Sequence, residues 1–435
     1  METTPRRIAG EMKISSPILQ TVKQEVINIP RFRKKIEEYL SRSASEISEL
    51  ILAGAIGLDS SDIHIEPQKE NVKMRIRIDG VLHDVLEFDL KSYQTLLSRV
   101  KLLAGLKLNI FDRPQDGRFS VLSEKEPIEI RASSLPAEYG ESLVLRILNP
   151  ENLISIEELG IRKDLLAVFT REINRPNGMI IITGPTGSGK TTTLYAVMKK
   201  IQKPELKIIT LEDPIEYHLS GISQTQVNPA KGYDFANGLK AIMRQDPEVI
   251  LVGEIRDLET ASMGIQAALT GHLVLTTLHT NDAAGTLARL QALGEKPVNI
   301  APALNMVVAQ RLVRKVCQKC VKMTLASAEE REKIKKALKG VPKEIISFSS
   351  EIKIARAKGC ETCNFTGFRG RIGIFELFLV DEEMERFVFK GSSISELNEK
   401  AVAEGMITVY SDGIIKTVQG ITTIEEVERV AGSQS

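Results

Sequence analysis

The chain has 435 residues, 42% hydrophobic and 26% charged, enough for two or three globular domains with real cores, which excludes a disordered or fibrous protein. A formal net charge of +1 gives no chain-wide positive excess of the kind that nucleic-acid and membrane-surface binders often carry. No stretch approaches the roughly 18 consecutive apolar residues of a membrane-spanning helix, and the first residues lack the pattern of an export signal. The expected location is the cytoplasm, with any membrane contact peripheral and made through a partner.

In chain order, residues 1–44 are polar and mixed, with a basic cluster at Arg31, Arg33, Lys34 and Lys35, and read as a solvated helix and linker. Residues 45–150 read as an α+β domain. Ile47, Leu50 and Ile51 form an apolar helical stripe, and from Val72 to Asp79 apolar and charged residues alternate as in a half-buried strand. Asp79-Gly80 supplies a hairpin turn. A helix from about Leu90 to Gly105 and strands at Phe119–Leu122, Ile128–Ala132 and Ser142–Leu148 complete that domain.

Residues 151–310 change character, because short apolar strands now alternate with helices as in a parallel α/β sheet. The predicted strands are Met179–Thr183, Lys207–Leu211, Val249–Val252 and Leu273–Leu278. From about Ala301 the pattern turns mostly helical, with a cysteine-bearing subdomain at 311–375 and a helical region at 376–435. Capping boxes are expected at Ser393 with Glu396 and at Thr423 with Glu426. His64 and His83 read as structural.

The strongest motif is Gly184-Pro185-Thr186-Gly187-Ser188-Gly189-Lys190-Thr191, which satisfies the phosphate-loop pattern at every required position. An apolar strand enters it and a helix beginning Thr191-Thr192 leaves it, so backbone N–H groups and a helix N-terminus converge on phosphate. Lys190 is placed to neutralise the β- and γ-phosphates of ATP, and the Thr191 hydroxyl to ligate Mg²⁺. Two acidic segments follow predicted strands: Glu212-Asp213-Pro214-Ile215-Glu216, and Gly253-Glu254-Ile255-Arg256-Asp257. Beyond the carboxyl ends of parallel strands, either Glu212 or Glu254 could polarise the attacking water or hold the magnesium shell. His279 ends the last strand, where it could sense or orient the γ-phosphate.

All four cysteines fall in Cys317-x-x-Cys320 and Cys360-x-x-Cys363, the spacing of a tetrahedral thiolate zinc site. Disulfides are disfavoured by the expected cytosolic location. The thirty-nine residues between the pairs, Val321 to Gly359, exceed a usual zinc-ribbon loop and predict an inserted helical segment.

Taken together, the phosphate loop with its trailing Thr192-Thr193-Leu194-Tyr195, Leu211 to Glu216, Arg244-Gln245-Asp246-Pro247 before Gly253 to Asp257, and the His272 to His279 box resemble the four signature boxes of the secretion-motor ATPase superfamily. That superfamily includes the type II secretion and type IV pilus assembly ATPases. The resemblance extends to Ser61 to Pro67, Arg113 to Arg118, and Arg131 and Arg146. It implies a PAS-like N-terminal α+β domain followed by a RecA-like ATPase domain, a homo-hexamer, and an inner-membrane platform protein as partner. It also implies that Arg131 and Arg146 act as arginine fingers, that Glu254 takes the place of the Walker B acid where Gly253 replaces the usual Asp, and that the tetracysteine marks an assembly motor rather than a retraction motor. Assembly members often carry a further N-terminal docking domain, expected to be reduced here. Two rival readings remain at this level, a RecA-like nucleic-acid motor and a small-molecule phosphate-loop kinase. Neutral charge and the lack of a basic, aromatic-interleaved stripe weigh against the first, so no nucleic-acid partner is expected. The unexplained tetracysteine weighs against the second.

Overall fold

Alternating side chains set up the first sheet. In the computed structural model, which describes residues 10–123, 126–346 and 351–432, the chain divides into two units. The first comprises the residues through Asn152 together with Cys317–Cys320 and Lys358–Arg369, and the second comprises the remainder. The first unit holds seven strands: β1 (Glu11–Lys13), β2 (Ser60–Pro67), β3 (Val72–Ile78), β4 (Val81–Phe88), β5 (Gln115–Leu122), β6 (Ile128–Ala137) and β7 (Gly140–Leu148). Their order is β1-β5-β6-β7-β2-β3-β4. Asp79 and Gly80 both adopt left-handed φ, 51° and 82°, and close the β3–β4 hairpin as a primed turn. Helices Ala44–Gly57 and Leu90–Ala104 supply Leu50, Ile51, Leu96 and Val100 to the core, and Gly105 ends the second of them in the left-handed region.

The N-terminal segment differs from a solvated linker. Helices Ser16–Glu25 and Ile29–Tyr39 bury Ile18, Val22, Ile29, Phe32, Ile36 and Tyr39 in the same core as the sheet. Those apolar residues recur at helical spacing among charges, so the mean composition hides a one-sided face. Phe32 packs so closely on Gly54 that a Cβ there would lie 2.2 Å from its ring. Residues 1–9 of the expected linker lie outside the described residues.

The second unit is built on β8 (Gly178–Thr183), β9 (Ile208–Glu212), β10 (Ser223–Gln226), β11 (Val249–Val252), β12 (Leu273–Leu278), β13 (Leu304–Val316), β14 (Lys322–Leu325), β15 (Lys353–Arg356) and β16 (Phe368–Leu379). One sheet runs β10-β9-β11-β12-β8-β13-β16, with the strands from β10 through β13 parallel. Its buried strands present alternate residues to two cores: Met179, Ile181, Ile250 and Val252 face one, and Ile180, Ile182, Val249 and Leu251 the other. Helices on both faces explain why these strands are apolar throughout instead of alternating.

The mostly helical pattern expected after Ala301 does not hold for two stretches. Residues 304–316 form a thirteen-residue strand beside β8, and residues 368–379 form the next strand out. Leu304 to Gln310 are all buried, the polar Asn305 and Gln310 included, and a continuously buried run of that kind carries no periodicity to separate strand from helix. The segment between the cysteine pairs does contain the inserted helix, Ala328–Ala337, started by a Ser327–Glu330 capping box, beside the antiparallel pair β14–β15. Arg356 on β15 grips Glu330 through both guanidinium NH groups, at 2.5 and 2.8 Å.

Ser393 and Glu396 form the expected capping box. Thr423 caps its helix, accepting from Glu426 N–H, but Glu426 does not reach back. Its carboxylate is instead buried against Arg314 and Arg429. Glu376 on β16 is a second buried carboxylate: one oxygen accepts from Ala283 N–H at 2.8 Å and the other from Val409 N–H at 3.2 Å, so it joins the starts of two helices. Burial pushes its pKa up against those two donors.

Candidate functional site

The phosphate loop follows β8 directly, and glycine is required there for two separate reasons. Gly184 (φ 148°) sits where a Cβ would lie 2.5 Å from the Gln310 carbonyl oxygen, so the loop can cross β13 only without a side chain. Gly187 (φ 79°) has nothing within 4 Å of a built Cβ, and its demand is the left-handed backbone that turns the loop outward. Gly189, also left-handed, is the N-cap of the helix Lys190–Ile201. Thr193 Oγ1 donates to Gln310 Oε1 at 2.7 Å and anchors that helix to β13.

Lys190 Nζ donates to the carbonyls of Gly184 (2.8 Å) and Pro185 (3.2 Å). Burial lowers its pKa and Arg311 adds to the fall, while Glu254 opposes it. Ser188 Oγ is buried with no hydrogen-bond partner. An ammonium that holds only carbonyls, an orphaned buried hydroxyl and open space before Gly187 fit an anionic ligand that arrives with its own charge and acceptors. Thr191 and Thr192, both half-buried, follow Lys190 in the first turn of the helix.

Three strand ends are tied side by side. Gly253 N–H donates to the Leu211 carbonyl at 2.8 Å, Thr277 Oγ1 to the Gly253 carbonyl at 2.8 Å, and Ile255 N–H to the Thr277 carbonyl at 3.1 Å. The ends of β9, β11 and β12 therefore carry Glu212, Glu254 and His279 at the carboxyl edge of the sheet, where parallel sheets bind ligands. Glu254 contacts Arg256 at 2.5 Å and lies 3.6 Å from His279 Nε2. Burial lowers the His279 pKa, and the neighbouring Lys190 charge lowers it further. His272 lies at the other end of β12, and its ring Nδ1 contacts the Ala267 carbonyl.

Glu212 is the last residue of β9 and is buried, neither a solvated strand-end carboxylate nor a helix cap. Its Oε1 accepts from Thr210 Oγ1 (2.6 Å) and Gln224 Nε2 (3.2 Å), and its Oε2 accepts from the Tyr195 hydroxyl. With two acceptor positions per oxygen, one on Oε2 is left over.

In the first unit, Arg118, Arg131, Arg146, Asp62 and Arg77 are successive cross-strand partners on β5, β6, β7, β2 and β3. Asp62 takes Arg146 Nε at 3.1 Å and Arg77 Nε at 3.2 Å, and Glu129 takes Arg131 Nε at 3.3 Å. Four guanidiniums in one row thus face two carboxylates, and Arg146 keeps 57% of its side chain exposed. The same unit holds the cysteines. Their sulfurs converge within 4.8 Å, with Cys317–Cys360 at 3.9 Å, Cys320–Cys363 at 3.8 Å and Cys360–Cys363 at 3.7 Å. Four thiolates at about 2.3 Å from a central zinc in tetrahedral array lie about 3.8 Å apart. The backbone N–H groups of Cys360 and Gly367 donate to Cys363 Sγ, the kind of bond that stabilises a thiolate. The donor set and spacing fit a closed zinc site.

A family model described as "Type II/IV secretion system protein" matches residues 40–429. The chain belongs to this family. It is 44% identical over 382 residues to the type II secretion system protein E of Dickeya dadantii, covering 87% of this chain and 74% of that protein. Over 386 residues it is 42% identical to the type IV pilus assembly ATPase PilB of Thermus thermophilus, covering 88% of this chain but only 42% of that longer protein. The fold is also that of the Legionella pneumophila ATPase DotB, with a TM-score of 0.65 at 20% identity over 90% of this chain and 97% of that one.

As a member of this ATPase family, the chain places its predicted residues in two groups. The phosphate loop, Glu254 and His279 form one charge cluster in the second unit, with Glu212 on a neighbouring strand end. Arg131, Arg146 and the four cysteines belong to the first. Sequence reading missed Gln310 and Arg311 on β13, which support the loop. Arg311 is buried, donates to the Gln310 and Asn281 carbonyls, and has its pKa lowered by burial. It also missed Thr210 and Gln224. No local motif marks these residues, because each acts across the sheet on a partner distant in sequence. Among the described residues, no helix is long and apolar enough to cross a membrane.

Proposed function

We propose that the chain is a hexameric motor that hydrolyses Mg-ATP to power assembly of a type IV pilus or a type II secretion pseudopilus, through an inner-membrane platform protein. The observation that carries this reading is the phosphate loop set in one sheet with two adjacent strand-end carboxylates, in a chain of a family with assembly ATPases among its members. The motor acts in the cytoplasm, peripheral to the inner membrane.

In this reading Gly184 to Thr192 cradle the phosphates of ATP and Lys190 neutralises their charge. Thr191 and Glu254 would hold Mg²⁺, which would supply positive charge to the transferring phosphate. Glu212, fixed by three donors with one acceptor position left, takes a proton from the attacking water as its oxygen bonds to the γ-phosphorus. The bond to the bridging oxygen breaks and ADP leaves. His279 orients the γ-phosphate beside Glu254. Arg131 and Arg146 serve as arginine fingers, stabilising the charge spread over the transferring group. The four cysteines would hold one structural Zn²⁺ and would supply all four of its ligands.

Turnover and assembly test this reading. Six-fold rings should form with nucleotide, and phosphate release should persist without DNA. A fully active monomer contradicts the motor, and DNA-stimulated turnover that fades with salt favours a nucleic-acid motor.

A further inference from the structure

Tyr195 lies on the helix that leaves the phosphate loop, with its ring buried and packed edge-to-face on Tyr217 at 6.0 Å. Its hydroxyl has partners of fixed polarity: the Glu212 carboxylate, and backbone N–H groups at Glu216 and Tyr217. The Glu216 backbone N–H, 3.2 Å away, can only donate, so the hydroxyl accepts from it and commits its own proton to Glu212 Oε2. Burial and the Glu212 charge push the phenol pKa up, so it remains a donor throughout the range in which the enzyme could work. The opposite oxygen is fixed just as firmly. Gln224 Oε1 accepts from Leu219 N–H at 2.8 Å, which orients its amide so that Nε2 donates to Glu212.

We propose that Tyr195 is a positioning residue for hydrolysis: its phenol holds the Glu212 carboxylate in one orientation, and so links the base to the phosphate-loop helix. The proposal rests on the reading of Glu212 as the base. A tyrosine that merely fills the core would affect thermal stability and leave the kcat of the folded enzyme alone.

The test uses the full-length chain and compares Tyr195→Phe, Thr210→Val and Glu212→Gln by kcat and by KM for ATP, with thermal stability measured alongside. Tyr195→Phe should lower kcat about 10-fold with KM changed less than about 2-fold. Thr210→Val removes a donor from the other oxygen and should lower kcat in the same way with KM little changed, which keeps the proposal testable if the phenylalanine variant folds poorly. If Glu212→Gln is inactive while both other variants keep the wild-type kcat, the positioning role falls and the base survives. Wild-type turnover by Glu212→Gln overturns both.

Discussion

The phosphate loop and the cysteine knuckle are both tight turns with glycine at critical bends, yet they leave their polar atoms in opposite states. In the loop, Ser188 Oγ has no partner, Lys190 holds only carbonyls, and the space before Gly187 is open. In the knuckle, the sulfurs converge on one another and Cys363 already accepts from two backbone N–H groups. One turn suits a ligand that comes and goes, and the other suits an ion that stays. Incomplete satisfaction is a cost to folding and a requirement for turnover.

The sharpest way to break this comparison is at Lys190. Lys190→Ala should abolish ATP hydrolysis while one Zn²⁺ per chain remains, as measured by phosphate release and metal analysis on the same preparation. Next in size are the carboxylates: Glu254→Gln and Glu212→Gln should each retain nucleotide but slow hydrolysis by about 100-fold or more. Ala at Arg131 or Arg146 should impair hydrolysis far more than ATP binding, and equal losses of both would make them binding residues.

Cys317→Ser or Cys360→Ser should lower zinc content and destabilise the knuckle while nucleotide binding persists, because metal binding is folding energy for so small a turn. Hydrogen exchange should therefore rise around the Ile29 amide, which donates to the Asn364 side chain just after Cys363. A metal content near zero with four reactive thiols would remove the zinc site. The smallest expected effect is one of pH. Arg356 holds the Glu330 carboxyl down to about 2, so its stabilising contribution is complete above the usual carboxylate range and fades as pH falls toward about 2. Glu330→Gln should flatten the fall of the melting temperature between those limits and leave turnover at neutral pH unchanged.

Where the candidate site depends on residues adjacent in the chain, it was legible in the sequence. The eight residues of the phosphate loop and the two Cys-x-x-Cys pairs declare themselves by spacing, and strands β8 and β11 by the apolar runs Met179–Ile182 and Val249–Val252. The Glu212 setting was hidden, since Tyr195, Thr210 and Gln224 come from separate elements and meet only when β10 and the helix Lys190–Ile201 pack around β9. The strand at 304–316 was hidden because burial on both faces erases periodicity. At Thr423–Glu426 the local pattern was half right: the threonine cap formed, but Arg314 offered the glutamate a stronger, charged partner than the backbone amide.

Glu376 sets a limit on how far this protein can be trimmed. Its two oxygens are shared between the amide at Ala283, shortly after the His279 strand end, and the amide at Val409 in the C-terminal helices. A fragment ending before Val409 would leave half of a buried carboxylate without a donor near the carboxyl edge of the sheet. The last helices are thus no detachable appendage, and a minimal catalytic fragment has to include them.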